Sequence, residues 1–127
     1  MDNTESVQDA ATEIESRLSA LLHALRALRR RRVVRLLDSS LSEDVVSTRW
    51  LARQVAGTEN ETAPVHATSK QYKNVYNALS QTHLPTLSDA SIIVYDPQRQ
   101  EVRSGPALRL AVLLLDITEP TIEVFYM

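Results

Sequence analysis

The chain has no cysteine. That removes disulfides, thiolate metal sites and thiol catalysis, and it points to a reducing compartment. Glycine is almost as scarce: Gly57 and Gly105 are the only two in 127 residues. No glycine-rich loop of the phosphate-cradling kind can be built from them. Aromatic residues make up 5% and lysine is limited to Lys70 and Lys73, so nearly all positive charge is arginine. The formal net charge of −2 supplies no global field for nucleic acid, and any such surface must come from local segregation of charge. The longest apolar run, ALRLAVLLL, is broken by Arg109 and falls well short of the roughly 20 residues a bilayer span needs. The start, MDNTESVQDAATEIES, has no signal-peptide character. The expectation is a soluble, cytoplasmic protein without membrane contact.

What is present is enough for one domain with its own core: 43% of residues are hydrophobic. Residues 1–10 read as a flexible acidic lead-in. From Ala11 a helical period appears in Ile14, Leu18, Leu21, Leu22 and Leu25. The following ALRRRRVVRLLDSS does not continue that stripe, so two offset helices or one kinked helix are expected, stopped at Asp38-Ser39-Ser40. Arg17 to Arg35 holds seven arginines and no acid. A solvated face whose stems cover apolar neighbours accounts for this best, ahead of phosphate contact or a membrane-surface helix. The Arg29–Arg32 run covers more than one turn, so its side chains cannot share one partner.

Val45-Val46-Ser47 reads as a short strand, and Thr48 as the cap of a helix carrying Trp50, Leu51, Val55 and Ala56 that Gly57 ends. Trp50, the only tryptophan, is expected to anchor the core. Thr58–Ala67 is polar, contains Pro64 and reads as loop.

The most informative stretch is Thr68 to Arg103. Thr68 or Ser69 caps a helix over about 69–84 with Tyr72, Val75, Tyr76, Leu79 and His83 facing inward. Its other face carries Lys70, Gln71, Lys73, Asn74, Asn77, Ser80 and Gln81, and no acid lies between Glu61 and Asp89. Lysine neutralises phosphate, and Asn and Gln can form paired hydrogen bonds with adenine, so this face is expected to meet DNA. A break near Leu84-Pro85 and Ser88-Asp89 leads to a β-hairpin over about 92–103, turned at Asp96–Gln100 with Pro97 at its first corner. Arg99 and Arg103 lie at or beside the tip, where arginine suits a minor groove or backbone. After Gly105-Pro106, ALRLAVLLLDI is apolar nearly all round. Leu108, Leu110, Val112, Leu113 and Leu115 are therefore dimerisation candidates, with the N-terminal helix of a second copy a possible partner. TIEVFYM has strand composition.

The segments ALRALRRRRVVRLL and YKNVYNALSQTHLPTLSDASIIVYD resemble the small winged-helix domains common in haloarchaea, related to ArsR- and MarR-like regulators. The likeness lies in the arginine-rich first helix and in His83, Leu84, Pro85, Leu87 and Ala90 leading into the wing, across roughly residues 20–104. Ser91 stands where that family usually has glycine. The resemblance implies a regulator-type DNA-binding fold.

The expectation is thus an α+β, mainly α, protein. A winged helix-turn-helix over 11–104 carries extra N- and C-terminal helices, and 105–127 is an apolar helix and strand used for dimerisation. The expected function is sequence-specific recognition of double-stranded DNA as a homodimer; the alternative is a winged-helix protein-interaction module that binds no DNA. No catalytic residue, metal or cofactor is expected. His23, His66 and His83 share no ligand spacing, and Glu59 and Glu61 have no evident nucleophilic or basic partner.

Overall fold

The computed structural model describes residues 3–40 and 44–127. The chain is α+β and mainly helical, with one small antiparallel sheet. In order, it forms α1 (Asn3–Leu25), α2 (Leu28–Ser39), β1 (Val46–Ser47), α3 (Thr48–Glu59), a single 3-10 turn (Pro64–His66), α4 (Ser69–Ala78), a π-helical turn (Leu79–His83), α5 (Leu84–Asp89), β2 (Ile93–Asp96), β3 (Glu101–Ser104) and α6 (Leu108–Tyr126). The sheet runs β1-β3-β2, so β3 is central: Val102 pairs with Val46 on one side and Tyr95 on the other. Val33 and Val34 of α2, Leu51 and Val55 of α3, Leu79, Leu84 and Leu87, and Ile92, Ile93 and Val102 form the fully buried centre.

The arginine-rich segment resolves into two helices. α1 ends at Leu25 without a glycine cap, which leaves its last carbonyls unsatisfied. Arginines of α2 supply the donors. Arg30 donates from Nε to the Ala24 carbonyl at 2.7 Å and from Nη2 to that of His23 at 3.1 Å. Arg31 donates to the Leu25 carbonyl at 2.7 Å. Arg29 pairs with Glu59 of α3, and Arg35 with Asp116 and Glu119 of α6. The run is therefore a set of internal ties to α1, α3 and α6 rather than a solvated face, and Arg30 is buried.

Two helices end on the same device. At the end of α3, Thr62 N–H donates to the Gly57 carbonyl and Glu61 N–H to that of Thr58, with Glu61 at φ 51°. At the end of α5, Ile92 N–H donates to the Leu87 carbonyl and Ser91 N–H to that of Ser88, with Ser91 at φ 61°. Both are Schellman closures whose left-handed position usually falls to glycine. Ile92 and Leu87 supply the apolar contact that goes with the motif. Gly57 does not end α3 as expected. It lies inside the helix, where a Cβ would stand 2.9 Å from the Thr62 carbonyl oxygen of the returning chain.

Other local expectations change for identifiable reasons. Helix begins at Asn3 rather than Ala11; Met1 and Asp2 of the acidic lead-in lie outside the described residues. Ser47, not Thr48, caps α3, its hydroxyl accepting from the Trp50 amide at 3.0 Å. Trp50 follows in the first turn on the outer side and is 37% exposed, so it does not anchor the core. Pro85 does not interrupt the helix. It lacks the N–H that would bond the Gln81 carbonyl, and the wider π turn over Leu79–His83 takes up the mismatch, with Leu84 N–H reaching the Leu79 carbonyl. The C-terminal TIEVFYM is helix, not strand: α6 runs through Pro120 to Tyr126. Pro120 costs one backbone donor at an exposed position, where water can serve the freed carbonyl.

α6 lies against α2 and is two-faced. Leu108, Val112 and Leu115 are buried in the chain's own core, which corrects their expected place at a dimer contact. Leu110 and Leu113 face outward, 55% and 50% exposed. None of the described helices is long and apolar enough to cross a membrane.

Candidate nucleic-acid interface

Thr68 opens α4 with a complete capping box. Its hydroxyl accepts from the Gln71 amide at 3.2 Å, and Gln71 Oε1 accepts from the Thr68 amide at 2.9 Å. Gln71 Nε2 donates to Asn60 Oδ1 at 2.9 Å. The side chain of Gln71 is thus engaged at both ends, which removes it from the expected base-reading set. Asn74 is partly engaged: its Oδ1 accepts from Arg29 Nη2 at 3.1 Å. Lys70, Lys73, Asn77 and Gln81 are exposed and form the open face of the helix, opposite the buried Val75 and Leu79. The π turn rotates whatever follows it, so Gln81 sits on a wider turn than an uninterrupted helix would give it.

One flank of α4 is aromatic. Tyr72 and Tyr76 stand in tilted contact, ring centroids 5.8 Å apart, and the Arg53 guanidinium lies 4.5 Å over the Tyr72 ring. The two tyrosines line a shallow cleft with Ser47, Arg49, Arg99 and Gln100, which brings the start of α3, α4 and the hairpin tip together. The Thr48 amide donates to the Gln100 carbonyl at 3.0 Å, tying the first turn of α3 to that tip.

The tip is itself ordered. Asp96 Oδ1 accepts from the amides of Gln98 and Arg99, both at 3.1 Å, and Gln100 takes φ 53° to close the loop. Gln100 Oε1 accepts from the Tyr95 hydroxyl at 3.1 Å. Arg99 projects from this fixed turn and is exposed. Arg103 is exposed on β3 opposite Val94, on the sheet face away from the buried Val102, so it does not join the cleft.

The charge pattern separates this surface from the arginine run. Arg29, Arg32 and Arg35 have acidic partners, and Arg30 and Arg31 are held by main-chain carbonyls. Arg49, Arg53, Lys70, Lys73 and Arg99 have no acidic partner among the described residues. Arg49 and Arg53 were not among the expected contacts. Their four-residue spacing after a capping serine was the available signal, since it places both on one face of the helix.

Behind α4 lies a charged joint. The Arg29 hydrogen bond holds the Glu59 carboxyl below the usual carboxylate range, and the same bond raises Arg29. His83 accepts at Nδ1 from Arg30 Nη1 at 3.2 Å; burial, reinforced by Arg30 and Arg29, lowers its pKa. No group of three or more His, Asp or Glu side chains able to hold a metal occurs among the described residues.

A family model described as "Domain of unknown function (DUF7344)" matches residues 22–103, and the chain belongs to that family. The match runs from the end of α1 to β3 and so contains the whole of this surface. No curated protein shows a significant match to the chain, and no solved structure does.

Proposed function

We propose that this DUF7344 member is a winged helix-turn-helix protein that binds double-stranded DNA as a homodimer. The order α2, β1, α3, α4, then the β2–β3 hairpin is the order such a fold uses, with α4 as the reading helix and the hairpin as the wing. One observation carries the proposal. The open face of α4 and the cleft between the start of α3 and the hairpin tip carry cations without acidic partners among the described residues, Lys70 and Lys73 on the helix and Arg49 and Arg99 on the cleft, in a chain whose net charge is −2. Lys70, Lys73 and Arg49 would neutralise phosphates, Asn77 and Gln81 would meet base edges, and Arg99 would reach backbone or minor groove. Asn74 would have to share its amide with Arg29, and Arg103 would contribute only through the outer sheet face.

The test is a salt titration of binding to random-sequence duplex. A DNA binder of this kind shows a log–log slope of about −0.9 for each phosphate neutralised, and Lys73→Ala reduces that slope by about one. A second reading, a protein-interaction module with the same fold and no DNA binding, is favoured by the apolar residues left exposed on α1 and α6. Absence of salt-dependent binding to any duplex would support it.

A further inference from the structure

Residues 6–16 of α1 are exposed on every side, so about three turns of this helix project beyond the domain, and Arg17 and Ala20 border a cleft with Asp89 and Leu110. A helix of that length in water has little stability of its own. Yet it carries an ordered apolar row. Val7, Ala11, Ile14 and Leu18 follow alternating four- and three-residue steps, and the row continues into Leu21 and Leu25, which are buried in the core. Ile14 is 67% exposed and Leu18 50% exposed.

Beside the inner half of the same helix runs an apolar groove between α1 and α6, floored by Leu25 and Leu115 and edged by Leu22, Leu28, Leu114 and Ile122. The projecting row and the groove therefore lie on one molecule, end to end along α1. Charge is divided in the same way. The projecting half carries Asp9, Glu13 and Glu15, with Glu13 paired to Arg17; Arg31 lines the groove together with Glu119, which Arg35 neutralises, and Arg26 follows the end of α1 close by in sequence.

From this arrangement we propose that the occupant of the groove is the projecting half of α1 from a second copy of this chain. The two α1 helices cross antiparallel about a twofold axis near Leu18. Leu18 then meets its own symmetry mate, Ile14 lies over the Leu21–Leu22 turn of the other copy, and Val7 reaches its Leu28. Small Ala11 falls over Leu25, where the helices approach most closely. Asp9 comes beside Arg26 of the other copy. Each surface is used twice, as a closed twofold interface requires. Antiparallel packing also sets helix dipoles favourably, and a parallel pairing would stack the acidic halves on one another.

This inference rests on the homodimer named above but not on DNA binding, and solution measurements separate the two. Sedimentation equilibrium up to about 100 μM is expected to show a dimer. Leu18→Glu is expected to weaken it about a hundredfold or more, with cooperative urea unfolding of the domain retained because the side chain has no place in the chain's own core, and with far-ultraviolet helicity falling only by the unpartnered turns of α1. Arg26→Glu weakens the dimer and Asp9→Arg in the same chain restores it.

Orientation is read by oxidation of single-cysteine variants, for which the cysteine-free chain is a clean background. Leu18→Cys cross-links to itself. Ile14→Cys does not, because antiparallel helices hold those positions about 12 Å apart along the axis. A monomeric wild type, a dimer indifferent to Leu18→Glu, or self-cross-linking of Ile14→Cys each overturns the proposal. A dimer that passes these tests and binds no duplex overturns only the DNA-binding reading.

Discussion

Arg30 and His83 meet across 53 positions of sequence, Nη1 to Nδ1 at 3.2 Å, at the point where α1, α2 and the π turn converge. A guanidinium can only donate, so His83 must present Nδ1 as an unprotonated acceptor. Protonation of His83 would place a charge on a half-buried ring and, secondarily, set it against Arg30 and Arg29. Since the folded state lowers the pKa of His83, the contact contributes stability that is fully present above the ordinary histidine value of about 6.5 and is lost as pH falls through the lower folded value. Urea midpoints are expected to decline below about pH 6.5, and His83→Gln to flatten that decline. Equal slopes in both proteins would assign the decline to other groups. Glu59 acts in a separate, lower window: its folded pKa is depressed, so its contribution persists until pH falls below the ordinary carboxylate range.

Arg30 also serves the end of α1 through the Ala24 and His23 carbonyls. Arg30→Ala leaves the buried Ala24 carbonyl, the part-buried His23 carbonyl and His83 without their donor. We expect a loss of about 3 kcal/mol in urea unfolding, at about 1–3 kcal/mol for each buried group stranded. Arg30→Lys should recover only a minor part, because one ammonium cannot span three acceptors held in a fork.

Ser91 holds a left-handed backbone at the close of α5, and Gly105 packs against it. Ser91→Gly is expected to stabilise the protein by about 0.5–1 kcal/mol, the relief at φ 61° exceeding the added freedom of the unfolded chain. Gly105→Ala is expected to cost more than about 2 kcal/mol, since a Cβ there would stand 2.5 Å from the Ser91 carbonyl oxygen. Thermal melts of the two variants should therefore move in opposite directions.

Gln71 and Lys73 lie two positions apart on α4 and should respond to different assays. Gln71→Ala dismantles the capping box and the Asn60 bond, so it lowers stability by about 1 kcal/mol. Lys73→Ala leaves stability within about 0.5 kcal/mol and weakens duplex binding. Arg99→Ala should behave as Lys73→Ala does, in fluorescence anisotropy with a labelled duplex. If Gln71→Ala alone weakened binding, with stability intact, the division of the α4 face proposed above would be wrong.

Much of the secondary structure follows from local chemistry. Thr68 and Gln71 at capping-box spacing, the inward row Val75–Leu79, the Asp96-Pro97 turn and the apolar alternation into Val102 are short-range signals, and the helix and hairpin appear where those signals place them. The sites of failure are also instructive. Gly57, Pro85 and Pro120 all look like helix breakers, and all three sit inside or just after continuous helical turns. Gly57 is needed there because the Thr62–Pro64 segment crosses over it, and Pro85 is absorbed by a π turn. Neither compensation is visible in the neighbouring residues.

From its order of residues alone the chain determined the absence of thiol chemistry, the mixed helical class, the capped helix at Thr68 and the hairpin at Asp96–Gln100. Each of these depends on composition or on residues a few positions apart. What each side chain is used for was decided by tertiary structure. Leu108, Val112 and Leu115 turn inward while Leu110 and Leu113 turn outward, because only one side of α6 lies on α2. The arginines of α2 are spent on Glu59, Asp116, Glu119 and the carbonyls of α1, whereas Arg49, Lys70, Lys73 and Arg99 keep no acidic partner among the described residues. A charge is free or bound according to what the fold brings within about 4 Å of it, and that distance bears no relation to separation along the chain.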